Sequence, residues 1–352
     1  WYDRERRDLP WRSAPGETAD PYAVWLSEIM LQQTTVKAVQ PYFQKFLARW
    51  PTVADLAAAS EEDVLSAWAG LGYYSRARNL HACARQIAAS ERAAFPDTVK
   101  GLRALPGIGP YTAAAIGAIA FGRAVTPIDG NIERVMSRLF EITTPLPEAK
   151  PEIDAAAQSL TPAHRPGDFA QALMDLGATV CTPKRPSCLV CPIQLKCAAK
   201  RSGIAETLPR KRAKQARPVR RGTAFVALRE DGAVLLRQRP GTGLLARMME
   251  VPSSEWLVTD GEAAAIAGQK LPRGAGPVRA RWHRVPGQVV HTFTHFKLEL
   301  EVVHAVVPLD AGLTIWADAE RCRWVARRDL DGQALPSVMR KVLAHALAEI
   351  AG

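Results

Sequence analysis

The sequence has little cysteine, few acidic residues relative to basic ones, and no long apolar run. Six cysteines among 352 residues are too few for a disulfide scaffold, which favours a reducing compartment. No signal peptide or membrane-length apolar segment is recognisable, so a cytoplasmic protein without a membrane partner is expected. The 46 basic residues exceed the 35 acidic ones, and the net charge of +11 favours a polyanionic partner.

The apolar pattern changes along the chain. Asp20-Pro21 predicts a helix start, and apolar residues continue at helical spacing from Tyr22 to Trp50. Further helical patterns lie at 61–69, 76–89, 111–121, 131–140, 151–160 and 168–177.

A basic linker, 199–221, follows the helical part. Nine basic residues between Lys200 and Arg221 face one acid, Glu206; a solvated linker would also look like this. "GTAFVALREDGAVLLRQR" (222–239) then predicts a hairpin, "FKLELEVVHAVV" alternates like a strand, and Ser337–Ile350 is helical. The expected architecture is therefore multi-domain: an all-α domain over 1–198 and an α+β domain over 222–352.

Four of the six cysteines form a compact cluster with the spacing C-x6-C-x2-C-x5-C. Four thiolates can hold either zinc or a [4Fe–4S] cube. Zinc sites usually have two CxxC pairs, and one is present here, so spacing favours iron–sulfur slightly and leaves zinc open. Lys184, Arg185 and Lys196 lie in the same loop, where they would offset an anionic cluster and present charge to a phosphate backbone. The ligands in question are Cys181, Cys188, Cys191 and Cys197.

"LPGIGPYTA" (105–113) combines two glycines with a proline at the start of an Ala-rich helix. Gly107 and Gly109 can adopt backbone angles that other residues avoid. Free amides at a helix N-terminus bind a phosphate oxygen. A simple helix corner would have a similar sequence, but the whole context is typical of a helix–hairpin–helix element, 102–121.

These motifs occur together with "PIDGNIERV" (127–135), and in this order the chain resembles the endonuclease III superfamily of DNA glycosylases. "LPWR", "WLSEIMLQQTTV" and "GLGYYSRARNL" resemble its adenine-removing branch. The resemblance implies a [4Fe–4S] cluster in the 181–197 loop. It also implies base excision repair of double-stranded DNA containing A:8-oxoguanine or A:G mispairs. The protein is then expected to be a monomer, bacterial and associated with the nucleoid.

Two carboxylates could perform the glycosidic chemistry. Glu28 follows Val24 and Trp25 on a helix, and burial there would raise its pKa, although most helix glutamates are exposed. Asp129 precedes a helix and could simply cap it. The resemblance makes Glu28 the general acid and Asp129 the stabiliser of the cationic sugar, with Asn131 orienting them.

The resemblance assigns further site residues. Tyr111 occupies the position of the Schiff-base lysine of bifunctional relatives, which implies a monofunctional enzyme; a bifunctional lyase is the alternative. Gln33 and Tyr73 would insert at the lesion. Core packing is the alternative for Tyr73, but the glycines before it and Arg76 and Arg78 after it favour a surface loop at DNA. The expected adenine pocket consists of Trp11, Arg12 and Val36.

The C-terminal domain resembles Nudix domains through "GLLARMMEVPSSEW" (243–256). A Nudix hydrolase needs a run of acids next, whereas 253–275 contains only Glu255, Asp260 and Glu262, so a pyrophosphohydrolase is disfavoured. The resemblance instead implies that the "FTHF" loop reads 8-oxoguanine through Phe293, Thr294 and His295; the alternative is that these are ordinary strand residues. An iron–sulfur DNA-binding regulator is a third, non-enzymatic hypothesis.

Overall fold

The computed structural model describes residues 1–212, 217–258 and 276–351. Within these ranges, no helix combines the length and the apolar character that crossing a bilayer requires. The chain forms two compact units: Trp1–Ala67 with Arg76–Lys214, and Trp68–Ser75 with Gln215–Gly352.

The first unit is built from helices. Their order is α1 (Tyr2–Glu5), α2 (Pro21–Leu31), α3 (Val36–Arg49), α4 (Val53–Ala58), α5 (Glu61–Trp68), α6 (Ser75–Ala88), α7 (Val99–Arg103), α8 (Pro110–Phe121), α9 (Gly130–Leu139), α10 (Lys150–Leu160), α11 (Pro166–Thr179) and α12 (Ala198–Arg201). Short 3₁₀ turns at Cys188–Val190, Gln194–Lys196 and Ala205–Thr207 surround α12.

The predicted start at Asp20 is confirmed, but the single helical run to Trp50 is wrong. Asp20 caps α2 by accepting a hydrogen bond from the Tyr22 amide, 3.0 Å away. The chain then leaves the helix at Gln32, and Gln33 has a left-handed φ of 58°. Thr35 caps the next helix, α3. The sequence "QQTT" therefore separates two helices, because a threonine side chain satisfies the free amides of a new helix start.

Helices α8, α9 and α11 pack around apolar side chains. Ile132, Val135 and Met136 of α9 meet Leu173 and Leu176 of α11 in one buried cluster. Gly177 of α11 allows the close approach, because a Cβ there would lie 2.6 Å from the Asn131 Cβ. This packing fixes the start of α9, where Asp129 lies.

The second unit contains a mixed sheet and one long helix. The strands are β1 (Val219–Arg229), β2 (Val234–Gln238), β3 (Met249–Glu250), β4 (Leu257–Val258), β5 (His283–Thr292), β6 (Lys297–Val307) and β7 (Cys322–Val325), followed by α13 (Ser337–Ala351). The main order is β3-β2-β1-β6-β5, with β4 beside β1 and β7 beside β2.

The predicted hairpin and strand are both confirmed in this sheet. Leu228 pairs with Val234 across the Asp231-Gly232 turn. Strand β6 runs parallel to β1 and antiparallel to β5. Its Leu298, Leu300 and Val302 are buried in the core against α13, as the alternation predicted.

Candidate active site

A cavity of about 580 Å³ lies in the helical unit. Its wall contains eight of the residues that the sequence singled out: Trp11, Arg12, Glu28, Gln33, Val36, Tyr111, Asp129 and Asn131. Residues from the N-terminal segment, α2, α8 and α9 therefore converge on one space, although more than 100 positions separate some of them along the chain. The predicted adenine pocket and the predicted carboxylates share this cavity.

Glu28 is buried on α2, with only 7% of its surface exposed. Its neighbours Trp25, Leu26 and Met30 are fully buried, so the carboxylate has lost most of its hydration. Burial raises the pKa of Glu28 to about 7; a hydrogen bond from Tyr111 lowers it and the charge of Asp129 raises it. Glu28 is thus buried, as the general-acid role implied by the resemblance requires, and the alternative of an exposed helix glutamate is wrong. The group can hold a proton near neutral pH.

Tyr111 lies in the first turn of α8, directly after Pro110. Burial and the negative charges of Glu28 and Asp129 raise the pKa of its phenol well above the usual value. The hydroxyl therefore keeps its proton and donates a hydrogen bond to the Glu28 carboxylate. This contact links α8 to α2 inside the cavity.

Asp129 both caps α9 and faces the cavity. Its Oδ1 accepts hydrogen bonds from the amides of Asn131 and Ile132, at 3.0 and 2.8 Å. Its Oδ2 accepts one from Asn131 Nδ2 at 2.8 Å. These hydrogen bonds hold the carboxylate at the N-terminus of α9. The capping role and the cavity role coexist in this residue.

Asp175 is a cavity-supporting residue that the sequence analysis missed. It is fully buried on α11, and its Oδ2 and Oδ1 lie 2.5 and 2.8 Å from the two Nη atoms of Arg12. Arg7 donates through its backbone amide and its Nε, at 3.0 and 2.5 Å. Burial alone would raise the pKa of Asp175, but the two arginines outweigh it and hold the pKa low. The sequence did contain a signal for a buried, paired acid, because Asp175 is the single charged residue in the apolar run "ALMDLGA".

The two residues predicted to insert into DNA share an unusual backbone conformation. Gln33 and Tyr73 have φ values of 58° and 49°, in the left-handed region that most side chains avoid. Gln33 lines the cavity, whereas Tyr73 belongs to the second unit and is 52% exposed. The prediction of a surface loop around Tyr73 is therefore confirmed.

The hairpin glycines behave differently from each other. Gly107 has a φ of 74°, and a Cβ there would lie 2.7 Å from the Asn79 Cβ, so glycine is required. Gly109 has a φ of −83° and open space around it. The prediction of a special backbone angle at Gly109 is wrong, because it is the extended N-cap of α8.

The four clustered cysteines line one small apolar cavity between α9, α11 and the 181–197 loop. All four thiols are unpaired. In the described parts of the chain, no three Cys, His, Asp or Glu side chains converge closely enough for a single metal ion. Four thiols on one cavity wall suit the four-thiolate ligation of either a zinc ion or a [4Fe–4S] cluster.

Helix α9 connects this cysteine loop to the cavity of Glu28. Arg134 donates to Asn131 Oδ1 at 2.8 Å, to the Gly177 carbonyl at 2.7 Å and to the Cys181 carbonyl at 2.6 Å. One turn later, Arg138 donates to Cys181 Sγ at 3.3 Å and to the Thr182 carbonyl at 2.7 Å. Both arginines are buried. The sequence analysis gave no role to either.

The 293–296 segment is a loop between β5 and β6, so the alternative of ordinary strand residues is wrong. Thr294 and His295 are exposed at its tip. The rings of Phe293 and Phe296 stack with centroids 4.7 Å apart, and Trp256 packs 6.0 Å from Phe293. The aromatic side chains thus fix the loop on the sheet. Asp260 and Glu262 lie outside the described residues, whereas Glu255 is exposed.

Comparison with known proteins agrees with this architecture. Residues 26–162 match the family model of the HhH-GPD superfamily base excision DNA repair proteins, and residues 223–345 match that of the NUDIX domain. A solved structure of a thermostable thymine-DNA glycosylase superposes with a TM-score of 0.51 and 29% identity, over 57% of this chain and 92% of that one.

The chain is also similar in sequence to adenine DNA glycosylases of several organisms. The adenine DNA glycosylase of Homo sapiens is 37% identical over 97% of this chain and 72% of its own length. The Mus musculus protein is 36% identical over 97% of this chain and 75% of its own length. The Mycolicibacterium smegmatis protein is 44% identical over 55% of this chain and 65% of its own length.

The helical fold and the paired carboxylates define a base excision DNA repair protein of the HhH-GPD superfamily. Its second unit carries the Nudix fold. Within that superfamily, the chain belongs to the adenine DNA glycosylase family.

Proposed function

We propose that this protein is a monofunctional DNA glycosylase that hydrolyses the N-glycosidic bond of adenine mispaired with 8-oxoguanine or guanine in double-stranded DNA. The single observation that supports this most strongly is the pair formed by Glu28, with a pKa of about 7, and Asp129, held by a helix N-terminus, in one cavity. A proton donor beside a stabilised anion is the combination that glycosidic cleavage needs.

The proposed reaction uses the two carboxylates in sequence. Glu28 gives its proton to a ring nitrogen of the extruded adenine, and the C1′–N bond breaks with its electron pair going to the base. The sugar becomes an oxocarbenium-like cation, which the charge of Asp129 stabilises. A water molecule adds to C1′ and releases a proton, leaving an abasic site. Asn131 holds the Asp129 carboxylate in place through its Nδ2.

Tyr111 supports the monofunctional assignment. A strand-cleaving relative needs an amine that condenses with the opened sugar, and a phenol has none. The role of Tyr111 is to donate to Glu28 and so to fix the position of the acid. We therefore propose that the product is an intact strand with an abasic site, and the lyase alternative is not favoured.

Arg12 and its neighbours would hold the base. Trp11 packs edge-on against Phe43 at 5.4 Å, and Arg12 is fixed by Asp175. Together with Val36 they form an apolar pocket with one cation, suited to a flat heteroaromatic base. Gln33 and Tyr73 would fill the space that the extruded base leaves in the duplex.

Cys181, Cys188, Cys191 and Cys197 would hold a [4Fe–4S] cluster, with no redox step required of it. A bound cluster would fix the cysteine loop and, with Lys184, Arg185 and Lys196, present a basic surface to DNA. The free backbone amides in the first turn of α8, which begins directly after the hairpin of Gly107 and Gly109, would bind a backbone phosphate.

We propose the domain boundaries 1–198, 199–221 and 222–352 for the catalytic domain, the linker and the recognition domain of a monomeric protein acting on bacterial chromosomal DNA.

In the recognition domain, Phe293, Thr294 and His295 would read 8-oxoguanine. The Nudix-type pyrophosphohydrolase is not favoured, because 253–275 lacks the run of acids that such an enzyme needs. In addition, Glu250 of the matching motif is buried and paired with Arg237 and Arg239.

Adenine release from an A:8-oxoguanine duplex under single turnover tests the proposal. Wild-type protein should release adenine at a rate that falls as the pH rises through about 7, since Glu28 then loses its proton. Glu28→Gln should be roughly 10²- to 10⁴-fold slower while still binding the duplex, and the matched control Glu62→Gln, an exposed glutamate of α5, should retain the wild-type rate. Strand breaks without alkali would indicate a lyase, and undiminished release by Glu28→Gln would contradict the proposed acid.

A further inference from the structure

A second cavity, of about 610 Å³, lies in the Nudix-like unit, away from the "FTHF" loop. The β5–β6 pair separates the two places: His283 pairs with His304 near the cavity, and Thr292 pairs with Lys297 beside the loop. Nine residue steps of extended strand correspond to roughly 30 Å. The proposed 8-oxoguanine reading therefore makes no use of this cavity.

The cavity wall is strongly cationic. It contains Arg279, Arg281, Arg284, His283 and His304, whereas Glu349 of α13 is the acid on the wall. Arg284 has an acidic partner, Glu301, at 3.2 Å. Within the described residues, Arg279 and Arg281 have none within 4.0 Å. Two guanidinium groups thus face the cavity with their hydrogen-bonding capacity available.

The histidine pair adds a buried polar atom. The rings of His283 and His304 lie 5.7 Å apart, and Nδ1 of His304 is buried without a hydrogen-bond partner in the described structure. A buried nitrogen without a partner is costly, and a ligand in the cavity could relieve that cost. The cavity wall also contains apolar side chains, among them Val306 and Pro308.

We infer that this cavity binds the phosphate group of a nucleotide. Guanidinium groups bind phosphate oxygens in a bidentate manner, with charge-assisted hydrogen bonds. The volume lies within the usual range of small-molecule sites. The apolar side chains of Val306 and Pro308 would contact the sugar or base attached to that phosphate. The phosphate could belong to a free nucleotide or to a nucleic-acid strand, because both present the same group.

Calorimetric titration of the full-length protein tests the inference, with inorganic phosphate and dGMP as probes at constant ionic strength. The variant Arg279→Ala/Arg281→Ala should bind both probes about tenfold or more weakly, because each lost charge-assisted bond weakens binding by roughly that factor. The matched control is Arg327→Ala/Arg328→Ala, which removes the same charge from an exposed 3₁₀ turn, Arg327–Asp329, and should bind like the wild type.

The salt dependence of binding to an undamaged duplex distinguishes the two phosphate sources. A logarithmic slope reduced by about one to two in the Arg279/Arg281 variant indicates a backbone phosphate. An unchanged slope together with weaker dGMP binding indicates a free nucleotide. If both double variants behave alike in every titration, the inference is overturned. The titrations with inorganic phosphate and dGMP involve no adenine release, so a failure of this inference is distinguishable from a failure of the proposed glycosylase function.

Discussion

Glu28 derives its chemistry from its surroundings, and only part of those surroundings can be read from the sequence. Neighbouring apolar residues on one helix predict its burial, because side chains three and four positions apart lie on the same face. The hydrogen bond from Tyr111 and the charge of Asp129 come from positions 83 and 101 residues away. The role of Asp175 was not predicted for the same reason: its partners Arg7 and Arg12 are more than 160 residues away along the chain.

The burial of Glu28 should make the stability of the protein depend on pH. The pKa of Glu28 is raised from 4.5 to about 7 in the folded state, so the folded protein binds this proton more tightly than the unfolded chain. The resulting stabilisation is complete below the unfolded pKa and is lost as the pH rises through about 7. Between pH 4 and pH 8, the wild type should therefore lose on the order of 3 kcal/mol more of its free energy of unfolding than Glu28→Gln does.

Urea denaturation at pH 4 and at pH 8 measures this difference directly. The comparison isolates Glu28, because every other titratable group is shared by the two proteins. Parallel stability profiles across the pH range would mean that Glu28 is solvated in the folded protein.

Asp175 should be essential for the packing of the N-terminal segment. Asp175→Asn leaves the guanidinium groups of Arg7 and Arg12 without their anion, and breaking a buried ion pair costs about 3 to 5 kcal/mol. A correspondingly lower melting temperature is expected, with slower adenine release because Arg12 lines the cavity. The exposed Asp154 of α10 provides the control, Asp154→Asn; equal melting temperatures of the two variants would contradict the prediction.

Among the elements, helix α9 is the one that connects two sites. Asp129 stands at its N-terminus and faces the adenine cavity, whereas Arg134 and Arg138 reach the cysteine loop from its body. A shift of this helix would therefore move both places together.

Arg134→Lys tests this coupling. A lysine keeps the charge but cannot reproduce the fork that reaches Asn131, Gly177 and Cys181. We expect a lower iron content per chain and an adenine release rate reduced about tenfold or more. The exposed Arg92 gives the control, Arg92→Lys. Normal iron content with normal release in Arg134→Lys would show that the two sites are independent.

Most elements could be predicted because their periodicity is local. The hairpin at Asp231-Gly232 and strand β6 have the expected bounds within a few residues. The break at Gln33 was missed because apolar spacing continues across it, although Thr35, which caps the next helix, is a signal for a new helix start. The parallel pairing of β1 with β6 was also not predicted, since strand patterns carry no information about partners far apart in the chain.

For the molecule as a whole, recognition of the lesion is expected to involve a loop of the second unit. Thr294→Val keeps the shape of the side chain and removes its hydroxyl. If that hydroxyl contacts 8-oxoguanine, the ratio of the rates on A:8-oxoguanine and A:G should fall by roughly tenfold, because a lost hydrogen bond to a base weakens discrimination by about that factor. Single-turnover rates on the two duplexes give the ratio. Thr292→Val, an exposed neighbour on β5, should leave the ratio unchanged, and an unchanged ratio in Thr294→Val would remove Thr294 from recognition.

The parallel pairing of β1 with β6 also constrains the order in which the chain can fold during synthesis. Val219 pairs with Lys297, and Arg229 pairs with Val307, so one edge of β1 waits for nearly 80 further residues to be translated. Until then, the backbone N–H and C=O groups on this edge of β1 have no partner strand, and Val226 and Leu228 lack the β6 and α13 residues of their core cluster. A ribosome paused within that interval would hold an exposed strand edge, the feature that makes nascent chains aggregate. The second unit is therefore the part of this protein whose yield should depend most on chaperones and on the speed of translation.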